Sequence, residues 1–372
     1  MGKLFKGFKN TDIALLVLVG VLLFFGLIIL SSASGPVAYQ KFGDSYYYVK
    51  HQIAYGLLPG LFLFFVCFFV DYRFWKKYAL ASLAVSVVLL LAVFIPGIGA
   101  KYGSAQSWVT VLGYSFQPAE LVKVTFIFYL AAWLASRGER KIKDFASGLL
   151  PFLVSLGAIM LLMILQPDIG TMSIIAATAF IVYFTAGARL HWLGLLGGVG
   201  AGVFMLLIKT APYRAARFMT FLHPELDPQG IGYHINQALL AIGSGGFFGL
   251  GLGHSRQKFQ YLPEVTGDSI FAIMAEELGF LFACLFVLAF LFLLIRGLKI
   301  ALAASDDFGK LLAVGLTSWI VIQAFINIGS MVGIVPMTGV PLPFISAGGS
   351  SLMVSLASMG ILLNIAKNSK QK

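Results

Sequence analysis

The acids Asp268, Glu276 and Glu277 lie close together in the stretch Tyr261-Leu-Pro-Glu-Val-Thr-Gly-Asp-Ser-Ile-Phe-Ala-Ile-Met-Ala-Glu-Glu-Leu-Gly279, where an apolar run begins. Carboxylates are costly inside a bilayer, and those found there pair, line cavities or do chemistry. Asp268 stands between Gly267 and Ser269 at the mouth of the run. Its position suits a helix N-cap. Spacing alone favours the cap; the other reading is a general base near the positive end of a helix dipole. Glu276 and Glu277 fall about 12–13 Å deeper, rotated by roughly 80° and 180° from Asp268 on an ideal helix. They are therefore expected not to share one groove with each other, and read either as buried struts or as substrate contacts.

Other charged residues recur in apolar surroundings. Glu120 and Lys123 stand three apart after Phe116-Gln-Pro-Ala, a helical spacing at which the side chains touch. Such a pair either fixes helix packing or rims a polar cavity. Gln166-Pro-Asp168-Ile-Gly-Thr171 reads as a sharp turn, with Pro167 opening the next helix and Asp168 in its first turn. Arg214, Arg217, Arg256 and Lys258 occupy one long polar stretch. Each is a solvated or headgroup charge taken singly, and together they suit a phosphorylated group. Gly-rich pieces at 243–246, 249–253 and 348–351 lack the Lys-Ser or Lys-Thr of a P-loop. The five histidines show no zinc-binding spacing, and Cys67 and Cys284 sit in apolar runs as small hydrophobes.

These residues must be carried by membrane helices. Of the 372 residues, 59% are hydrophobic and 11% charged, against about 25% charged in a soluble domain. Long apolar runs with short polar breaks indicate an all-α integral membrane protein. Ten transmembrane helices are expected near 12–32, 50–70, 77–97, 118–136, 147–165, 168–187, 189–209, 269–296, 310–333 and 344–366. The first reads as a retained span. With both termini cytoplasmic, most of the 26 Lys and Arg fall on the inner side, as inner loops require. That rule accounts for the net charge of +11 without nucleic acid. One long extracytoplasmic loop, about 210–268, separates spans seven and eight and is expected to hold one or two short surface helices. No internal repeat is evident, so residues 1–372 read as a single polytopic domain.

Taken in order, the motifs resemble the SEDS family of polytopic peptidoglycan glycosyltransferases. The matching pieces are Ala33-Ser-Gly, Gln117-Pro-Ala-Glu120 with Lys123, Gln166-Pro-Asp168-Ile-Gly-Thr171, Asp227-Pro with Gly232-Tyr-His, and Gly251-Leu-Gly-His-Ser-Arg-Gln-Lys258. Tyr261-Leu-Pro-Glu264, Ala275-Glu-Glu-Leu-Gly279, Thr338-Gly-Val-Pro-Leu-Pro-Phe-Ile-Ser346 and Gly348-Gly-Ser-Ser351 complete them. Ser255-Arg-Gln-Lys258 and Val37-Ala-Tyr-Gln-Lys-Phe-Gly43 are more similar to the division branch (FtsW) than to the elongation branch (RodA). The chain departs from the family in two places. It has Thr266-Gly-Asp-Ser269 where His-Thr-Asp-Phe is usual, and Ala347 where Tyr is usual before the late Gly pair.

The resemblance implies polymerisation of lipid II into β-1,4 glycan at the outer face of the bacterial cytoplasmic membrane. Asp268 would be the essential base, and the direct displacement would invert the anomeric carbon. Substrate and pyrophosphate contacts are expected from Arg214, Arg217, Arg256, Lys258, Lys123 and Glu120, with support from Asp168, Glu264, Glu276 and Ser350. A divalent cation, Mg or Mn, could share the charge-offsetting role, although no ligand cluster shows in the sequence. The implied partners are a class B penicillin-binding protein transpeptidase and other divisome or elongasome membrane proteins, at the division site. Two other classes stay open on the residues alone: a lipid II flippase, which needs polar groups through the membrane depth, and a non-catalytic scaffold of a division complex.

Overall fold

The computed structural model describes residues 11–369 apart from 103–104, 112–113, 211, 224, 226 and 228–229; side chains at 101–106, 111–114, 207, 210, 212–214 and 231 also lie outside the description. Its helices are α1 (Ile13–Phe42), α2 (Tyr47–Phe69, with a π turn at Ile53–Leu57), α3 (Arg73–Lys77), α4 (Ala79–Ala92), α5 (Pro118–Ile142), α6 (Phe145–Leu165) and α7 (Ile169–Thr185). Then come α8 (Leu190–Thr210), α9 (Pro212–Leu222), α10 (Ile231–Ser244), α11 (Ile270–Ala303), α12 (Asp307–Met331) and α13 (Gly349–Lys367).

Each of the ten apolar stretches expected to span is helical. Seven helices (α1, α2, α5, α6, α11, α12 and α13) are long and apolar enough to cross a membrane, and α4, α7 and most of α8 are shorter apolar helices. Between α8 and α11, in the stretch expected to form the long loop, the chain forms two short helices, α9 and α10. One element was not expected. Between α4 and α5 the chain forms a three-stranded antiparallel sheet of β1 (Gly99–Tyr102), β2 (Ala105–Val111) and β3 (Tyr114–Phe116) in the order β1-β2-β3. The consecutive β-branched residues Val109, Thr110 and Val111 of β2 favour the extended conformation.

Helices α5, α12 and α13 form the centre and bury most of their apolar surface, whereas α11 keeps most of its own at the periphery. Large side chains such as Phe62, Leu80, Phe280 and Leu302 are exposed, as expected where lipid replaces water as solvent. Without a hydrophobic drive between helices, close packing must hold them together. Gly360 shows how close: a Cβ there would stand 2.4 Å from the carbonyl oxygen of Phe64 on α2. At the expected cytoplasmic end, Asp12 caps α1 through Leu15 N at 3.0 Å and pairs with Arg296 of α11 at 2.5 Å.

Candidate functional site around Asp268

Asp268 sits at the head of α11 but does not cap it. The N-cap is Ser269, and no side chain accepts a capping hydrogen bond there. The capping reading is therefore not met, and the Asp268 carboxylate keeps its acceptor capacity. The N-cap hydroxyl, Ser269 Oγ, donates to its Oδ1 at 3.4 Å. Asp268 retains some solvent contact, yet dense protein surroundings push its carboxyl up to about 7. Desolvation is the main cause and the nearby Glu264 carboxylate adds to it, against the opposing pull of Arg217. A carboxylate so placed is partly ionised near neutral pH, the condition for an efficient general base.

The backbone around Asp268 is pinned from several elements. Asn327 of α12, fully buried, donates from Nδ2 to the carbonyls of Asp268 and Val340, each at 2.8 Å. Ser346 Oγ donates to Gly267 O at 2.6 Å, and Ala347 N to Thr266 O at 2.8 Å. Gln52 of α2 joins this connection by donating to Ser346 O and accepting from Gly348 N. The connection between α12 and α13, with Pro336, Pro341 and Pro343, is thus a rigid wall beside the acid. Gly339 is the part of it nearest the carboxylate: a Cβ there would lie 3.9 Å from Asp268 Oδ2.

One turn along α12 from Asn327, Gln323 donates to Pro341 O at 2.9 Å and accepts from Lys123 Nζ at 2.5 Å and from Trp319 Nε1 at 3.1 Å. Lys123 pairs with Glu120 at 2.8 Å, and both side chains are 1% exposed. Asp168 does not follow Pro167 into the first turn of its helix as expected. It is the N-cap of α7, accepting from Thr171 N and Gln117 Nε2, each at 3.0 Å. Gly170 packs against Thr338, which brings this polar group to the proline wall as well. Glu120 Oε2 and Thr338 Oγ1 are buried without a hydrogen-bond partner.

Glu276 and Glu277 differ from the geometric expectation, because both engage one segment, 255–258. Glu276 accepts from Ser255 Oγ at 2.5 Å and Arg256 N at 2.9 Å. Glu277 accepts from Lys258 Nζ at 2.7 Å and from Ser32 Oγ of α1 at 2.6 Å. The segment wraps the helix, so acids on different faces meet the same strand of chain. Below them α11 breaks at Gly279 (φ 81°), and the loop after α10 enters the gap. Leu250 N and Gly251 N donate to the carbonyls of Glu276 and Glu277, while Phe280 N and Leu281 N donate to those of Gly246 and Phe247. This exchange gives partners to the carbonyls of Glu276 and Glu277 and to the amides of Phe280 and Leu281, four groups that the break would otherwise leave unpaired.

The expected phosphate contacts are therefore not all gathered. Lys123 and Lys258 are buried against carboxylates and present no free cation beside Asp268, because a desolvated ammonium takes the nearest acid; Glu120 is held inside with Lys123. Arg217 on α9 lies close enough to Asp268 to act on its ionisation, and its Nε is buried without a partner. Arg256 is exposed. The side chain of Arg214 lies outside the described residues. Glu264, at positive φ, accepts from Gly267 N at 2.9 Å through its carbonyl and sends its carboxylate toward Asp268. Ser350 is in the first turn of α13, half-buried. Among the described residues no three metal-ligating side chains are grouped. The amides Asn327, Gln323 and Gln52 were not singled out from the sequence, and His234 entered it only within the motif Gly232-Tyr-His, with no role of its own. Their signal is weak: Gln323 and Asn327 are polar residues four apart in an otherwise apolar helix.

Comparison with known proteins agrees with this architecture. The family model described as "Cell cycle protein", covering FtsW, RodA and SpoVE, matches residues 13–371. Stage V sporulation protein E of Bacillus subtilis is 42% identical over 97% of this chain and 98% of its own. A probable peptidoglycan glycosyltransferase FtsW of Geobacter sp. is 39% identical over 96% and 97%. Among solved structures, a chain from work on structural coordination of polymerization and crosslinking by a peptidoglycan synthase complex superposes with TM-score 0.80 at 28% identity, covering 98% of this chain and 100% of that one. The rod shape determining protein RodA of Thermus thermophilus gives TM-score 0.71 at 27% identity, covering 98% and 99%.

Proposed function

We propose that this chain, which belongs to the FtsW, RodA and SpoVE family and is a peptidoglycan glycosyltransferase of the FtsW-like kind, uses Asp268 as the base of glycan polymerisation. The observation that carries this reading is an uncapped, desolvated carboxylate at the mouth of α11, ionising near pH 7 beside a rigid wall.

The substrate is lipid II, a disaccharide-peptide on undecaprenyl pyrophosphate. Asp268 takes the proton of the acceptor sugar hydroxyl as its oxygen attacks the donor anomeric carbon. The bond from that carbon to the pyrophosphate oxygen breaks, and the undecaprenyl pyrophosphate departs with the bonding pair. Attack opposite the leaving group turns the α-linked donor into a β-1,4 glycan. A pyrophosphate needs little protonation to leave, so no dedicated acid is required. Arg217 and Arg256, together with Arg214, offset the charge developing on it; Lys123 and Lys258 support this site from within. A bound Mg or Mn ion would supply further charge neutralisation there.

This chemistry calls for the head of α11 to face the outside. We place all ten apolar helices across the bacterial cytoplasmic membrane with both termini inside, as the excess of Lys and Arg on that side supports. The chain then works at the division site with a class B penicillin-binding protein transpeptidase. The test is polymerisation of lipid II by purified wild-type and Asp268→Asn proteins. The variant should stay folded and make no polymer; normal chain growth would remove Asp268 from the mechanism.

A further inference from the structure

His234 lies on α10, within the stretch that separates spans seven and eight, and its ring reaches the head of α11. Its Nε2 is 2.6 Å from Ser269 Oγ, and that same hydroxyl donates to Asp268 Oδ1 at 3.4 Å. Ser269 is buried, with no exposed surface. Its hydroxyl places a hydrogen-bonding group directly beside the Asp268 carboxylate.

We infer that His234 and Ser269 are positioning residues for the transferase reaction: the imidazole donates from Nε2 to Ser269 Oγ, which turns the Ser269 hydrogen onto Asp268 Oδ1 and leaves Oδ2 to take the substrate proton. A hydroxyl has one hydrogen, so Ser269 can donate to Asp268 only if its bond with His234 is accepted rather than donated. That requires the tautomer with hydrogen on Nε2. Burial keeps His234 neutral, holding its ionisation down to about 4, with the positive charge of Arg217 assisting. The free oxygen is the one on the side of Gly339, where the wall carries no side chain to fill the space. The groups acting on Asp268 are Arg217 from α9, Glu264 from its own loop, His234 from α10 through Ser269, and the uncharged Asn327 from α12.

The inference rests on Asp268 being the base, and the experiment separates the two. Rates of lipid II polymerisation are measured against pH for wild type, Ser269→Ala, His234→Ala and His234→Gln, with Asp268→Asn alongside. A hydrogen bond to the ionised carboxylate favours it, so losing that bond moves the acid limb of the profile upward, by about half a unit or more. Ser269→Ala and His234→Ala should both show the shift and lose about tenfold in kcat with KM little changed, since the bond serves the transition state. His234→Gln, whose amide can donate from a similar place, should bring the limb back toward wild type. A structural role would lower the rate equally at all pH values. Profiles of folded Ser269→Ala and His234→Ala that superimpose on wild type after scaling overturn the inference, as does a shifted limb that folded His234→Gln does not restore. An active Asp268→Asn protein overturns the assignment of the base itself.

Discussion

Neutralising Glu277 should destabilise the packing of α1 and the 253–258 segment on the head of α11, and neutralising Lys258 as well should restore most of the loss. The two charges are 2.7 Å apart and only 1% and 4% exposed. At an effective dielectric of about 20, that separation corresponds to about 6 kcal/mol of attraction, most of it offset by the desolvation both ions undergo. In Glu277→Gln, Lys258 Nζ keeps Gly253 O at 2.8 Å and Ser32 Oγ at 3.2 Å, so its hydrogen bonds largely persist and its charge is uncompensated. Breaking a buried pair from one side typically costs ~3–5 kcal/mol, whereas replacing both partners with neutral groups of similar volume is often close to neutral. The expected stability losses are therefore about 3–5 kcal/mol for Glu277→Gln, a similar amount for Lys258→Met, and about 0–2 kcal/mol for the double variant. Denaturant-midpoint measurements on the detergent-solubilised protein, read as a double-mutant cycle, give the coupling. Additive single losses, or singles costing less than about 1 kcal/mol, would refute the reasoning and show that water or the hydroxyls screen the pair.

Gly279→Ala should be more damaging than most substitutions of its size, because a Cβ would stand 2.3 Å from Gly249 N in a backbone of φ 81°; a fall in the thermal midpoint together with loss of polymerisation checks this. Asn327→Ala leaves the carbonyls of Asp268 and Val340 without their donor, with an expected loss of about 2–4 kcal/mol and lower kcat, measured by unfolding and lipid II turnover. Asp268 also links stability to pH. Its folded ionisation near 7 lies above the ordinary 3.8, so the folded state binds more protons between those values and the protein loses stability as pH rises through that window. Asp268→Asn should therefore be more stable than wild type at pH 8, by about 1–3 kcal/mol after discounting for partial solvent contact, and the difference should vanish below about pH 4; equal midpoints at pH 8 would contradict it. Wild-type polymerisation should in turn rise along an acid limb centred near pH 7.

The helices were legible because apolar length is a strong signal, and each of the ten stretches is helical. The small sheet was not, since Gly99–Phe116 is too short and mixed for a clear alternating pattern. Asp268 was legible as an acid at a helix mouth, but cap and base look alike in sequence; the structure shows that no side chain makes a capping bond at the head of α11. Lys258 and Lys123 looked like phosphate ligands because charge is visible in a sequence and burial is not. Gln323 and Asn327 escaped notice for the opposite reason. Uncharged amides in an apolar helix carry little signal until the carbonyls they serve, Pro341, Val340 and Asp268, are in place.

Because the amides of Leu250 and Gly251 take the acceptors that Phe280 and Leu281 would otherwise use, α11 is spliced rather than continuous. Residues 270–278 are joined to the chain after α10 as tightly as they are to their own helix. A pull on the segment around His234 is thus transmitted to the stub that holds Asp268 in place, while 280–303 stays anchored to its neighbours. Whatever grips the segment around α10 has a short lever on Asp268.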